Sequence, residues 1–195
     1  MTRAFRSLFF PSLLLILSAC GNGRPGWGKF PVDLYSDNAM ASDPEAQSAL
    51  QDAMSFWEAQ VGKKLFNYRG AYSGAPYTGD VQHPSEILAN TIFFQNPWPL
   101  QANIVGQTIV NSNSSNEIHS AMVMINGSAS FCWGDCIGQY NQTSGRKTIT
   151  HELGHFLGLA HVQDPTDIMY PQITPGGSLT GENVDMATLR ELTLE

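Results

Sequence analysis

The sequence predicts an α+β domain, α/β-like in the way strands and helices are interleaved. Three observations lead there. Short runs rich in Val, Ile, Phe and Met lie between segments with helical spacing of apolar residues. The 195 residues suffice for one domain with a proper core and leave little room for two. Apolar residues make up 42% and charged residues 14%, with ten Phe and four Trp, so the chain has enough to bury and is not a disordered one. Eighteen Gly and eleven Pro mark it as rich in loops. Ten Lys and Arg against 17 Asp and Glu give a net charge of −7. No basic cluster stands ready to neutralise phosphates, which argues against a nucleic-acid binder. No uncharged apolar run reaches the ~18 residues of a spanning helix, which excludes a bundle of membrane helices.

The N-terminus reads as an address. Arg3 and Arg6 form a basic start, and Leu8 to Leu17 a short, mainly apolar segment, as in a secretory signal. Leu17-Ser18-Ala19-Cys20 follows and resembles the bacterial lipobox, whose Cys is lipidated and becomes the mature N-terminus. An unlipidated cleaved signal is the other reading; it would put Leu17 three residues before the cut, where a small residue is expected. The division expected is therefore a lipoprotein signal at 1–19, lipidated Cys20 with a flexible tether to residue 28, and one folded domain over 29–195. Several acyl chains, at ~0.8 kcal/mol per buried CH₂, make a durable anchor. The expected location is the bacterial cell envelope. Gly21 after Cys20, in place of the Asp that marks inner-membrane retention in some bacteria, points to the outer membrane or cell surface.

Along the mature chain, Phe30 to Tyr35 reads as a first strand, Val32 and Leu34 alternating with Asp33. The clearest helix comes next. Ser42 and Asp43 compete as N-cap, Pro44 suits the first turn, and Glu45 completes a capping box with Ser42. Ala46, Ala49, Leu50, Ala53, Phe56, Trp57 and Val61 recur at helical spacing, and Gly62 ends the helix. Leu65 to Tyr68 is a second strand, and residues 69–86, rich in Gly, Pro and Tyr, read as a long surface loop. Thr91 to Gln95 is a buried strand, and Asn103 to Val110 a polar-interrupted one that suits a sheet edge. Asn111 to Asn116 is a polar turn, and Ile118 to Ile125 a further strand. Residues 127–143 are irregular, a helix runs from Ser144 to Leu157, and a last one from Thr180 to Leu192. Within the irregular stretch, Cys132-Trp133-Gly134-Asp135-Cys136 reads as a local disulfide between Cys132 and Cys136. The rival is a pair of metal thiolates, which would need two further ligands.

The chemistry concentrates in His151-Glu152-Leu153-Gly154-His155-Phe156-Leu157-Gly158-Leu159-Ala160-His161. On a helix, positions i and i+4 share a face, so His151 and His155 can aim at one point, with Glu152 on the neighbouring face. Ile149, Leu153 and Phe156 form the anchoring apolar side. Gly158 accepts the left-handed conformation that turns the chain, which lets His161 return as a third ligand. Three imidazoles leave Zn²⁺ an open position for water, the mark of a catalytic rather than a structural site. Zinc lowers the pKa of that water to ≈ 7, and Glu152 can take its proton and pass it to a leaving amine.

These eleven residues match the metzincin zinc signature H-E-x-x-H-x-x-G-x-x-H. Asp167-Ile168-Met169-Tyr170-Pro171 resembles that clan's Met-turn. With Leu159-Ala160-His161 and Asp164-Pro165, the chain is most similar to the matrixins, the matrix-metalloproteinase branch. The resemblance implies a twisted, mostly parallel sheet with one antiparallel edge strand over the active-site helix, three main helices, and a small C-terminal subdomain below the cleft. It places Met169 as a floor under the zinc. It implies a monomeric zinc endopeptidase of proteins or peptides, with Pro171-Gln172-Ile173 walling the pocket beyond the scissile bond. An extended substrate would add to the edge strand.

Departures from the pattern are visible too. No Cys-containing propeptide switch is read between Cys20 and the domain. His83 and His119, the only other His, read as surface or strand residues, not as a second zinc site. No acidic Ca²⁺ loop is recognised; Asp135, Asp164 and Asp167 could serve calcium, with turn-capping as the plainer account. Tyr170 directly follows Met169, one position short of where a tyrosine ligand would stand, and Val162 follows the third His where many matrix enzymes have Ser. A catalytically silent zinc protein that captures peptides is the alternative function, and a surface adhesin a third. The intact Glu152 counts against the second, and the zinc signature against the third.

Overall fold

The structure, a computed structural model, describes residues 25–80, 83–173 and 183–184. Its elements in chain order are β1 (Gly26–Trp27), β2 (Val32–Ser36), α1 (Asn38–Ser42), α2 (Pro44–Val61), β3 (Phe66–Ala71), β4 (Tyr77–Asp80), β5 (His83–Ile87), β6 (Thr91–Gln95), β7 (Gly106–Ser112), β8 (Glu117–Asn126), β9 (Phe131–Cys132), β10 (Thr143–Ser144) and α3 (Gly145–Phe156). The main sheet runs β3–β2–β6–β8, all parallel. β7 lies antiparallel on the far side of β8, and β1 runs parallel to the start of β8 on the edge shared with β6. One antiparallel edge on a parallel sheet is the expected architecture.

Both faces of this sheet are covered, as parallel strands require. β8 shows it best, because Ala121, Met122, Val123, Met124 and Ile125 are all buried. By alternation, Ala121, Val123 and Ile125 join the main core with Leu34, Phe66 and Ile92 and with the buried faces of α2 and α3. Met122 and Met124 face the other way into a smaller cluster with Ile87, Phe93, Tyr77 and Trp98. Among the described residues no helix is long and apolar enough to cross a membrane.

Four local expectations are corrected. Ser42 does not form a capping box with Glu45: it ends α1, and its hydroxyl donates to the Asn38 and Ala39 carbonyls at 2.7 and 3.1 Å. Asp43 alone caps α2, its carboxylate accepting from the Glu45 and Ala46 N–H groups at 2.9 and 3.1 Å. Gly62 closes that helix at φ 72°, as expected. The expected surface loop over 69–86 is instead the end of β3 followed by the antiparallel pair β4–β5. The stretch 127–143 carries β9, which pairs with β10 just before α3. The tether reading of residues 21–28 gives way at Gly26 and Trp27. There the chain joins the sheet, and Trp27 stacks on Phe156 at 5.2 Å while its Nε1 donates to the Phe156 carbonyl at 2.7 Å. The strand Thr91 to Gln95 stands as expected, and the other expected strands stand with their ends moved by one to three residues. Cys20 and the expected helix Thr180 to Leu192 lie outside the described residues.

Candidate metal centre and active site

α3 is placed by its two ends. Ser144 caps it, its hydroxyl accepting from the Lys147 N–H at 3.2 Å. The indole of Trp133, held in the loop closed by the Cys132–Cys136 disulfide, lies where a side chain at Gly145 would stand. At the other end, Leu159 N donates to the Gly154 carbonyl at 3.0 Å and Gly158 N to the His155 carbonyl at 2.9 Å, with Gly158 at φ 102°. This pair of bonds is the Schellman closure, which favours glycine at that position. The turn brings His161 back over the helix.

There the three imidazoles converge. His151 Nε2 is 3.1 Å from His155 Nε2 and 3.2 Å from His161 Nε2, and the last two are 3.1 Å apart. Two rings are fixed from behind. His151 Nδ1 donates to the Ile168 carbonyl and His155 Nδ1 to the Leu159 carbonyl, both at 2.7 Å. A carbonyl only accepts, so each Nδ1 carries the proton and each Nε2 presents a lone pair. Burial holds His151 down to about 4 and His155 down to about 3, and partial desolvation lowers the more exposed His161 as well. The Nε2 lone pairs of His151 and His155 face each other at 3.1 Å and repel unless a cation lies between them. Tetrahedral zinc with bonds of ~2.0–2.1 Å separates its nitrogen ligands by roughly 3.3 Å, so the donor set fits that ion.

Glu152 stands beside this triangle, buried at 5% exposure. Burial pushes its carboxyl up to about 7 against the opposing pull of a hydrogen bond from Thr108. That bond, Thr108 Oγ1 to Glu152 Oε2 at 2.7 Å, comes from β7. Two residues earlier on the same strand, a Cβ on Gly106 would meet Glu152 Oε1 at 2.6 Å, so glycine leaves the carboxylate its room.

Behind the helix lies Met169, buried at 2% exposure. Its sulfur and the Trp57 ring occupy the space that a side chain at Gly154 would need. The turn that carries Met169 is held by its own carboxylates. Asp164 Oδ1 accepts from Thr166 N and Oγ1 at 2.9 and 2.8 Å, and Asp167 Oδ1 from Met169 N at 2.6 Å. Asp135 likewise accepts from Ile137 N at 3.1 Å. All three thus serve as turn caps. His119 is exposed on β8, away from the three converging rings, and Val162 N donates to the Met169 carbonyl at 3.1 Å. A groove of about 960 Å³ runs over the centre, bordered by β7 on one side and Pro171, Gln172 and Ile173 on the other.

The sequence profile of the matrixins matches residues 32–192, most of the chain. The chain is a matrixin. Its family is one of zinc metalloendopeptidases, so a protein or peptide is the class of substrate. No individually curated protein matches this matrixin. The residues around its centre that sequence reading passed over are Thr108, Gly106 and Trp133. Gly106 carried a faint signal, since an isolated glycine in a strand marks a close approach.

Proposed function

We propose that this matrixin is a monomeric, exported, lipid-anchored zinc endopeptidase. In this reading His151, His155 and His161 hold the metal, Glu152 is the general base, Gly158 shapes the ligand turn and Met169 supports the helix from behind. One observation carries it: three Nε2 atoms converge at 3.1–3.2 Å beside the buried Glu152 carboxyl. Bound zinc supplies Lewis acidity, bringing a coordinated water into the neutral range of pKa and polarising a carbonyl. Glu152 takes the proton of the attacking water and hands it to the departing amine. β7 has no strand on its outer side among the described residues, so an extended peptide can pair with it and lie across the groove. The apolar Pro171 and Ile173 face the residues beyond the scissile bond. No calcium role is proposed.

The proposed site is complete within one chain and requires no second copy. Lipidation at Cys20 rests on the basic start, the short apolar segment and the placing of that Cys. Digestion of a proteome-derived peptide library tests the activity. Cleavage with zinc, abolished by chelator and by Glu152→Gln, is expected; peptide capture without cleavage would overturn the reading. Incorporation of labelled fatty acid, lost in Cys20→Ser, is expected for the anchor, and release of unmodified soluble protein would refute it.

A further inference from the structure

A glutamate reaching from a helix has a freely turning terminal torsion, and its carboxylate is broad in orientation unless something holds it. Among the described residues, one side chain from 44 residues away holds Glu152. Thr108 Oγ1 lies 2.7 Å from Glu152 Oε2 and 3.0 Å from the main-chain carbonyl of the same residue. The hydroxyl has a single proton, and both acceptors within its reach belong to Glu152. The arm that carries it is stiff. Threonine is branched at Cβ and has few χ1 choices, and Thr108 sits in the middle of β7, in register with Val123 of β8.

The two carboxylate oxygens therefore meet different surroundings. Oε2 is tied to Thr108, while Oε1 lies over Gly106, where the strand has no side chain and borders the groove. We propose that Thr108 is the positioning residue of the general base: it pins Oε2 so that Oε1 alone is presented to the reacting groups. This rests on Glu152 acting as the base. The O–H bond of the attacking water breaks as Oε1–H forms and the water oxygen bonds to the peptide carbonyl carbon. Oε1–H then breaks as the N–H bond of the departing amine forms and the peptide C–N bond parts. The Thr108 proton stays on Thr108 throughout, so its hydroxyl orients and transfers nothing.

The test compares Thr108→Val, which keeps the branched shape and removes the hydroxyl, with Thr108→Ser, which keeps the hydroxyl. Thr108→Ala joins them in case the second valine methyl crowds α3. The whole processed chain is loaded with zinc and assayed for kcat, KM and metal content, and crystal structures of the loaded forms locate the Glu152 carboxylate. A displaced base costs on the order of 10–100-fold. The expected result is that loss in kcat for Val and Ala, KM within about twofold, one zinc per chain, a carboxylate turned from its wild-type plane, and Ser restored to within about threefold. A Val variant within twofold of wild type, or a Ser variant as slow as Val, overturns the proposal. So does a slow Val variant with an unmoved carboxylate. Glu152→Gln is assayed alongside. If it stays active, the base assignment itself has failed. If it is inactive while Val is not, only the role of Thr108 falls.

Discussion

α2 and α3 pack against each other, and they bury different chemistry. The buried face of α2 consists of Ala46, Ala49, Leu50, Ala53, Met54 and Trp57, a stripe that any amphipathic helix of a core could carry. α3 buries Thr148, Thr150, His151 and Glu152 beside Ile149, Leu153 and Phe156. It has α2 and the Met169 turn on one side and β7 and β8 on the other. Buried polar groups cost stability unless they find partners, and each here has one. Thr148 and Thr150 donate back to the Ser144 and Arg146 carbonyls at 2.9 and 2.8 Å, His151 to Ile168, and Thr108 to Glu152. Such an arrangement is tolerated rather than favoured by folding, which is what a reacting centre built into a core looks like. The difference teaches that α2 can be damaged only through stability, whereas α3 can lose its function while the fold stands.

The sharpest way to separate the two helices is Glu152→Gln. Peptidase activity should fall by about 10³-fold or more, with zinc content and melting temperature kept. Metal analysis, peptide hydrolysis and calorimetry on one preparation check all three. Stability adds a pH signature in the metal-free protein. Because burial raises the Glu152 carboxyl from 4.5 to about 7, the folded state binds its proton more tightly than the unfolded state does. Wild type should therefore lose stability relative to Glu152→Gln as pH rises from about 4.5 through about 7. A variant that melts far below wild type at all pH values would place Glu152 among the packing residues and erase the contrast.

His161→Ala should come next in size. His161 is exposed and lies beyond the helix, so its loss opens no cavity in the core. Zinc affinity should fall by more than about 100-fold, since removing a ligand outweighs the 10–100-fold cost of disturbing an outer partner. Far-UV circular dichroism should not change. Unaltered zinc binding in equilibrium dialysis would remove His161 from the ligand set.

Trp57→Ala reverses the pattern. Trp57 is fully buried on α2, and its Nε1 donates to the Thr150 carbonyl of α3 at 2.8 Å. Truncating so large a side chain costs about 3–5 kcal/mol. Chemical denaturation should show that loss, and kcat per folded, zinc-loaded molecule should stay within a few-fold of wild type. A kcat that collapses while the denaturation midpoint holds would mean that α2 takes part in the chemistry.

The fold was legible where local pattern decides it. The α2 stripe and Gly62, the buried strand Thr91 to Gln95, and the run from His151 to His161 all keep their meaning in three dimensions. The pair Cys132 and Cys136, four residues apart, is joined as a disulfide. Legibility failed where a partner distant in sequence decides. β4 and β5 are hidden among Gly70, Gly74, Pro76, Gly79 and Pro84, residues that punctuate loops, yet their backbones pair. Gly26 and Trp27 look like linker until Glu117 and Ile118 provide a strand for them. Thr108 is an ordinary strand threonine until α3 brings Glu152 to it.

The smallest effect concerns how α2 begins, where Ser42 and Asp43 compete. Both residue types cap helices well, and Glu45 stands three residues after Ser42, so sequence spacing favours a box centred on Ser42. α1 decides otherwise, because it draws Ser42 into its own last turn and turns that hydroxyl back onto the Asn38 and Ala39 carbonyls. Asp43 is left to satisfy the first free N–H groups of α2, and its negative charge also suits the positive end of the helix. Asp43→Ala should therefore cost about 1 kcal/mol, and Ser42→Ala less than about half of that, as an exposed hydroxyl bonded within its own turn contributes little. Denaturant midpoints of the two variants, measured beside wild type with zinc bound, would rank them. Equal losses would mean that both residues share the cap in solution, and that α1 yields its last turn when α2 needs it.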